Sequence, residues 1–507
     1  MSGVTSWDDG TPIKQQTMPA PDSLALTATL RGQFPSTPAE AARASRRERT
    51  TTFLAGAAVV LPAWLAGAWY LWAQWITLGL AMLAFGSLFT PVFDYRAWPP
   101  SASPPVAVRR LAQFPIFWLG LAILVYGALA ALNPWLALTG DGPGAWLEAL
   151  PAKGWLPRSL ETPFGEMNAW RVVLMVAPAW LVTCAIWAGM ETARSLRWLL
   201  TAVALNGAFL AVFGLVERVN GTTEMFWIYD PRPEYPMQTF FSSFVFTGQA
   251  AAWLLLSLGA MAGCMMRAVA KGTRERYFWA AGVPIMLAAL GWSSYAIYFF
   301  LSVTAGVGAV VVAGFLTGWR RWWPAGVFAG GFWLMATVFW AESLWVNGGA
   351  QVDPYNPSLQ ARYELARTSA AMIPDELWWG WGPGSYRYVA PYYLRHNPLF
   401  SMPGHPGVMY YRSNFAHSDW VQLPIEWGLA GAALFTAALG WWAGKVWRLR
   451  RVLPPEGWCA LGAVGLVLAG AAIDFPLASP AVLLVLTGLL AVSVKLGETA
   501  VRRPMAA

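Results

Sequence analysis

Apolar residues run along this chain in long blocks, separated by short polar or basic connections. A helical block of about 20 apolar residues matches the hydrocarbon thickness of a bilayer; the runs Leu119–Leu132 with its flanks and Ala460–Leu496 show the pattern plainly. Segmenting the chain this way predicts twelve helices, at 52–71, 74–93, 112–132, 169–190, 196–216, 239–263, 277–293, 296–318, 322–342, 419–443, 457–474 and 477–494. One connection breaks the rhythm. The stretch 343–418 is long for a link between packed helices, and such stretches are usually functional or disordered.

Composition fits the same class. The 507 residues are 57% apolar and 12% charged, where a soluble domain carries about a quarter charged residues. Such a chain cannot cover a water-facing surface, and its 33 Trp and 16 Tyr suit rings that settle at the headgroup level. The expected architecture is an all-α integral membrane protein, GT-C-like, with about 12 transmembrane helices and an outer loop carrying short helices. Residues 1–50 read as a disordered cytoplasmic tail and 51–507 as a single transmembrane domain that includes the loop 343–418. The three cysteines, Cys184, Cys264 and Cys459, fall in or beside apolar runs, so no disulfide framework or thiolate metal site is expected.

The net charge of +8 would suggest nucleic acid in a soluble protein, but here its distribution is topological. Alternate connections hold Arg96, Arg109 and Arg110; Arg194 and Arg197; Arg267 to Arg276; Arg320 and Arg321; and Lys445 to Arg451. With the two ends of the chain they carry 24 of the 34 lysines and arginines, which makes them cytoplasmic by the positive-inside rule. Both termini are then inside, no nucleic-acid partner is implied, and 133–168, 217–238 and 343–418 face outward.

The loop 343–418 is dense in Trp, Tyr and Pro, so it can bury surface against the helices. It holds all three histidines, His396, His405 and His417, and the arginines Arg362, Arg367, Arg387, Arg395 and Arg412. An outward site of Arg, His and aromatics suits a ligand bearing phosphate or sugar. Ser358–Met372 reads as a short helix bounded by Pro357 and Pro374. On it Arg362 and Arg367 lie about 140° apart, so they need not act together, and both could simply be solvated. Gly380–Tyr386 (GWGPGSY) is either a plain turn or one whose amides, at Gly382 and Gly384, meet an anion.

His417 stands where the loop re-enters the membrane, placed to exchange a proton with an incoming hydroxyl. Glu426 follows nine residues later. On an ideal helix it points about half a turn away and lies about 13 Å deeper, so it is expected to play a structural role, as an ionisable group that must find a partner in the bundle. Asp474, in the turn IDFPLASP, pairs with a loop arginine or caps a helix.

Together these stretches resemble the O-antigen ligase and polymerase family. Ala416–Gly428 (AHSDWVQLPIEWG) resembles the family's His motif ending in Glu-x-Gly; Arg362 followed by GWGPGSY resembles its Arg-bearing helix and Gly-rich turn; DFPLASPA resembles its last outer turn; and Phe240–Gly259 resembles an earlier helix. The likeness covers about residues 200–495. The chain departs from the family pattern at Ser294-Tyr295, where many members have Ser-Arg, and at Ser242-Ser243-Phe244, where many have Asn. Arg232 and Arg218, in the other long outer loop, are substitutes by position.

The resemblance implies an inverting transfer of a glycan from undecaprenyl pyrophosphate at the periplasmic face of the bacterial inner membrane, with no metal and no cofactor. His417 would assist the acceptor hydroxyl, while Arg362, helped by Arg367, Arg387, Arg412, Arg232 and Arg218, would hold the pyrophosphate. The acceptor would be lipid A core for a ligase, a glycan repeat for a polymerase, or a protein hydroxyl; the ligase ranks first and the polymerase next. Two other classes compete. A secondary transporter requires half-to-half repeats and midplane charges, and a non-catalytic export subunit requires no working histidine.

Overall fold

The structure is a computed structural model in which residues 38–89, 106–140, 146–231, 240–293, 359–402, 405–409 and 413–502 are described. The chain divides into two units, Met1–Arg46 and Arg47–Ala507. Of the first unit, only the opening of a helix, from Pro38, is described. Residues 38–50, expected as the end of a disordered tail, are therefore helical, as their run of Ala, Arg and Glu favours. Expected helices 296–318 and 322–342 lie outside the described residues, as do Arg232 and Arg412.

The second unit is mostly helical. Its elements are α1 (Pro38–Trp64, which begins in the first unit), α2 (Leu71–Gly86), α3 (Val106–Ala112), α4 (Pro115–Ala131), α5 (Ala169–Gly189), α6 (Ala193–Val219), α7 (Thr247–Ala270) and α8 (Glu275–Trp292), then α9 (Leu359–Ala370), α10 (Tyr386–Leu394), α11 (Asp419–Leu449), α12 (Pro455–Gly470) and α13 (Pro480–Arg502). Among the described residues six helices are long and apolar enough to cross a membrane, and a seventh span arises if α3 and α4, bent by 72°, are taken together. The protein is thus a membrane protein by length and composition of its helices. The bend falls at Pro115, whose missing N–H belongs at a helix start.

Capping fixes several of the helix starts. The side chains of Asn168, Thr192 and Ser418 accept the backbone N–H groups of Arg171, Ser195 and Val421, satisfying donors that a helix start leaves unpaired. The core lies between α5, α6, α7, α12 and α13, which share one cluster of buried apolar residues including Trp253, Ile186 and Leu489. At the end of the bundle opposite the 359–418 loop, charges pair across helices: Arg110 with Glu191, Arg197 with Glu456 at 2.8 Å, and Lys445 with Glu498 at 2.9 Å.

The mostly helical fold agrees with the all-α expectation, and two small sheets are added to it. Residues 134–161 build a small mixed sheet in the order β2-β1-β3, where β1 is Pro134–Thr139, β2 is Trp146–Ala149 and β3 is Ser159–Glu161. A second pair, β4 (Ser401–Met402) and β5 (His405–Met409), lies within the loop. The first sheet supports the loop: Leu160 belongs to the same buried cluster as Leu365, Tyr386, Phe400 and Ile425, with Leu136, Leu138 and Leu147 packed against it.

A break in α11 joins loop to bundle. Gly428 has φ 59° and ψ −175° inside the helix, a region essentially reserved for glycine. The segment 377–382 engages four of the backbone groups around the break. Leu429 and Ala430 N–H donate to the carbonyls of Leu377 and Trp378, while Trp381 and Gly382 N–H donate to those of Ile425 and Glu426. The Tyr126 hydroxyl donates to Trp427 O at 2.7 Å. Unpaired backbone groups cannot be left in an apolar medium, so the loop and the broken helix form one unit. A Cβ at 428 would sit 2.3 Å from Trp378 O. Gly428→Ala is accordingly expected to lower stability by about 3 kcal/mol or more, from left-handed strain plus lost stitching, read as a drop in the unfolding temperature of the detergent-purified protein.

Candidate functional site

The residues singled out in the loop gather around one turn. Arg362, on the buried face of α9, is 3% exposed. Its guanidinium donates to Ile473 O at 3.3 Å and pairs with Asp474 at 3.7 Å. His417, immediately before the Ser418 cap of α11, lays its ring edge-on to Phe475 with centroids 5.0 Å apart. Arg362 and His417 therefore meet on consecutive residues of the 473–475 turn. Arg367, on the other face of α9, is 69% exposed and pairs with Glu364 at 3.4 Å.

The turn is fixed from three sides. Asp419 N–H donates to Ala471 O and Asp474 O, and the Asp419 carboxylate accepts Leu477 N–H at 2.8 Å. Gly248, in the first turn of α7, admits the Asp474 carboxylate so closely that a Cβ there would lie 2.4 Å from it. Phe415 stacks on Phe475 at 4.2 Å, and Phe246 stands edge-on to both.

His417 carries three marks of a working residue. Its φ is +49°, a strained value for a side chain that is not glycine. It is buried, and its Nδ1 makes no hydrogen bond among the described residues, although buried polar atoms in folded proteins nearly always find a partner. Burial, and then the positive charge of Arg362, hold its pKa well below the ordinary histidine value, so the ring is neutral at physiological pH. Burial pushes the Asp474 carboxyl up, against the opposing pull of Arg362 and of the Phe475 N–H.

The Gly-rich turn is not open to an outside anion. Gly384 N–H and Tyr386 N–H donate to the two carboxylate oxygens of Glu426, at 2.9 and 3.3 Å, and Gln422 Nε2 donates to Oε1 at 3.0 Å. Gly382 N–H is taken by Glu426 O at 3.0 Å. The expectation that Gly382 and Gly384 bind substrate is thus corrected: the anion that fills this turn is the chain's own carboxylate. Gly382 serves a close approach instead, since with φ +105° a Cβ there would lie 2.4 Å from Ser159 Cα in β3. Glu426, expected to pair within the bundle, instead joins the loop groups Gly384 and Tyr386 to Gln422 of its own helix.

Beside the site lies a cavity of about 280 Å³ between α4, α5, α11 and α13. Its depth is lined by apolar groups such as Ile123, Val176, Trp180, Leu439, Trp442 and Leu490, and its polar end by Gly384, Arg387, Asn414, Asp419, Gln422 and Glu426. Arg387 lines it, with its guanidinium 5.5 Å above the Phe415 ring. His417 and Arg362 do not line it; Phe415, which does, stacks on the Phe475 ring that His417 touches. Two contributors escaped sequence reasoning. Asp419, two residues after His417, tightens the turn. Arg171, three residues after the cap Asn168, donates to Gly165 O, Trp69 O and Gln74 Oε1 at 2.8, 3.2 and 3.4 Å.

Arg218 is not drawn into this site. It lies in the last turn of α6 beside Glu217, with Nε and one Nη buried and without a hydrogen bond among the described residues. Among the described residues no group of three or more His, Cys, Asp or Glu side chains is arranged to hold a metal ion. Comparison with protein-family models and with curated proteins found no match to this chain.

Proposed function

We propose that this protein transfers a glycan from a polyprenyl-pyrophosphate carrier to an acceptor hydroxyl at the periplasmic face of a bacterial inner membrane, as an O-antigen ligase does, with lipid A core as acceptor. The topology that goes with this reading has about twelve spans and both termini in the cytoplasm. One observation carries it: a strained, neutral His417 with an unpartnered Nδ1 meets Arg362 on the 473–475 turn, next to a cavity that is polar at one end and apolar in its depth.

In the transfer, the acceptor oxygen attacks the anomeric carbon from the face opposite the phosphate, so the configuration inverts. Its proton passes to His417 Nδ1, which is free of other bonds and neutral, as a general base must be. The bond between the anomeric carbon and the phosphate oxygen breaks, and the electron pair leaves on the pyrophosphate. Guanidinium groups suit that developing charge, being planar donors that stay ionised beside lipid.

The depressed pKa of His417 sets a pH dependence. The folded-state value lies below the unfolded one, so the neutral ring persists at pH 6.5, where an ordinary histidine is half protonated. The base is lost only as pH falls further, through the folded value. The stability that goes with the neutral ring is fully present above the unfolded value and is lost progressively between the unfolded and the folded values. Initial transfer rates between roughly pH 5 and 8 should therefore show no inflection at 6.5; an inflection there would mean an ordinary, solvated histidine. The function itself is tested in cells lacking the protein, which should accumulate the carrier-linked glycan. Cells that complete their surface glycan normally would rule it out.

A further inference from the structure

A general base can act on a hydroxyl only if the sugar that carries it is held in place, yet neither His417 nor Arg362 lines the cavity beside them. Two polar side chains that do line it flank His417 in the chain. Asn414 stands three residues before it and Asp419 two after it, both at the polar end of the cavity. Asp419 Oδ2 accepts Leu477 N–H at 2.8 Å, while Oδ1 makes no hydrogen bond among the described residues and is not sealed from the cavity. The carboxylate is anchored by one oxygen and offers the other. Asn414 is exposed, and its amide makes no hydrogen bond among the described residues.

Neighbouring polar groups are engaged. Glu426 accepts from Gly384, Tyr386 and Gln422, and the Gln422 oxygen accepts Ala416 N–H at 3.1 Å. Beside Asp419, Trp420 also lines the cavity. It is 39% exposed and its indole N–H goes to Leu468 O at 2.9 Å, so the ring itself is what it has left to offer. A carboxylate oxygen that accepts hydroxyls, an amide that both donates and accepts, and an aromatic ring for apolar C–H edges together suit a sugar. An ammonium head from a lipid suits the place less, because the Arg387 guanidinium lines it too and like charges repel.

We infer that Asp419 and Asn414 hold the acceptor saccharide: Asp419 Oδ1 accepts a hydroxyl of the acceptor sugar beside the one that reacts, and the Asn414 amide bonds a further hydroxyl. That the sugar belongs to an acceptor rests on the proposed transfer; that a sugar binds here does not. No bond breaks at Asp419, and the proton of the attacking hydroxyl still passes to His417. Residues two apart have Cα atoms at most about 7 Å apart, so one sugar ring can reach both side chains.

Two measurements on the purified full-length protein test this. The first is transfer in lipid vesicles at varied lipid A core, with the carrier-linked glycan saturating. Asp419→Asn keeps an oxygen for Leu477 N–H, so the turn is retained. It should raise the KM for the acceptor by roughly 10-fold or more, the scale of a lost hydrogen bond to a charged group, with kcat and the KM for the donor within about threefold of wild type. Asn414→Ala, which removes no hydrogen bond of the fold, should raise the acceptor KM by about 3- to 10-fold, as a neutral bond would, and serves should Asp419→Asn fail to fold. The second is a tryptophan-fluorescence titration in detergent without donor, since Trp420 and Trp427 line the cavity. Soluble core oligosaccharide, freed of its lipid, should bind the wild type and bind Asp419→Asn at least about 10-fold more weakly.

A loss confined to kcat in Asp419→Asn would make the carboxylate a second base, and a lowered unfolding temperature with unchanged KM and oligosaccharide affinity would make it an anchor of the turn only; each result overturns the inference. So does a response to phosphatidylethanolamine with none to the oligosaccharide, which would mark a lipid-headgroup site. Oligosaccharide binding that weakens as expected in a protein that transfers no glycan leaves the saccharide site standing and removes the transfer reading. Transfer with wild-type acceptor KM in both variants does the reverse.

Discussion

His417→Ala is expected to lower glycan transfer by about 10²–10⁴-fold, the usual worth of a positioned general base, while the protein still folds. The expectation for folding follows from what the ring touches. Its clearest packing contact is the edge-on one with Phe475, worth about 0.5–1.5 kcal/mol, and its Nδ1 bonds to nothing that removal would strand. The left-handed backbone at 417 strains alanine as it strains histidine, so that cost cancels. Transfer measured beside the unfolding temperature separates the two effects. A variant with wild-type transfer would remove His417 from the mechanism, and one that fails to accumulate would make it a structural residue.

Glu426→Ala should do the opposite, costing folded protein first. The carboxylate is 7% exposed and accepts from Gly384 N–H, Tyr386 N–H and Gln422 Nε2. Removing it strands these donors in a buried place at about 1–3 kcal/mol each. Even partial relaxation leaves a loss of several kcal/mol, comparable to the whole stability of many domains. Glu426→Gln keeps one acceptor oxygen and should fall between. Membrane-fraction yield and thermal unfolding in detergent read this out. A Glu426→Ala protein as abundant and heat-resistant as wild type would show that the loop is held by the α11 break alone.

Much of the frame was legible because it depends on local periods. Long apolar blocks become helices whatever they pack against, and the short helix between Pro357 and Pro374 is observed as Leu359–Ala370. The opposite faces of Arg362 and Arg367 follow from helical geometry alone. The partners of Glu426 were not legible, since Gly384 stands 42 residues upstream of it and no periodicity encodes that contact. For the same reason the glycine amides looked available to a ligand, when Glu426 takes both, Gly384 N–H with its carboxylate and Gly382 N–H with its backbone carbonyl.

The small sheet at 134–161 escaped because β2 and β3 are very short and their pairing is set by contact with the loop. Arg171 was overlooked for a different reason. An arginine just after a helix cap reads as a headgroup anchor, and only the fold brings α10 beside the start of α5, where the Tyr388 hydroxyl donates to Met167 O.

The most direct measurement uses purified full-length protein in lipid vesicles, given a polyprenyl-pyrophosphate-linked glycan and lipid A core, with both products followed over time. Glycan should join the acceptor in step with release of free polyprenyl pyrophosphate, and the reaction should stop in His417→Ala. Folded wild-type protein that leaves the carrier-linked glycan intact, or a His417→Ala protein that consumes it as fast, would contradict the transfer of a glycan at the Arg362–His417 turn.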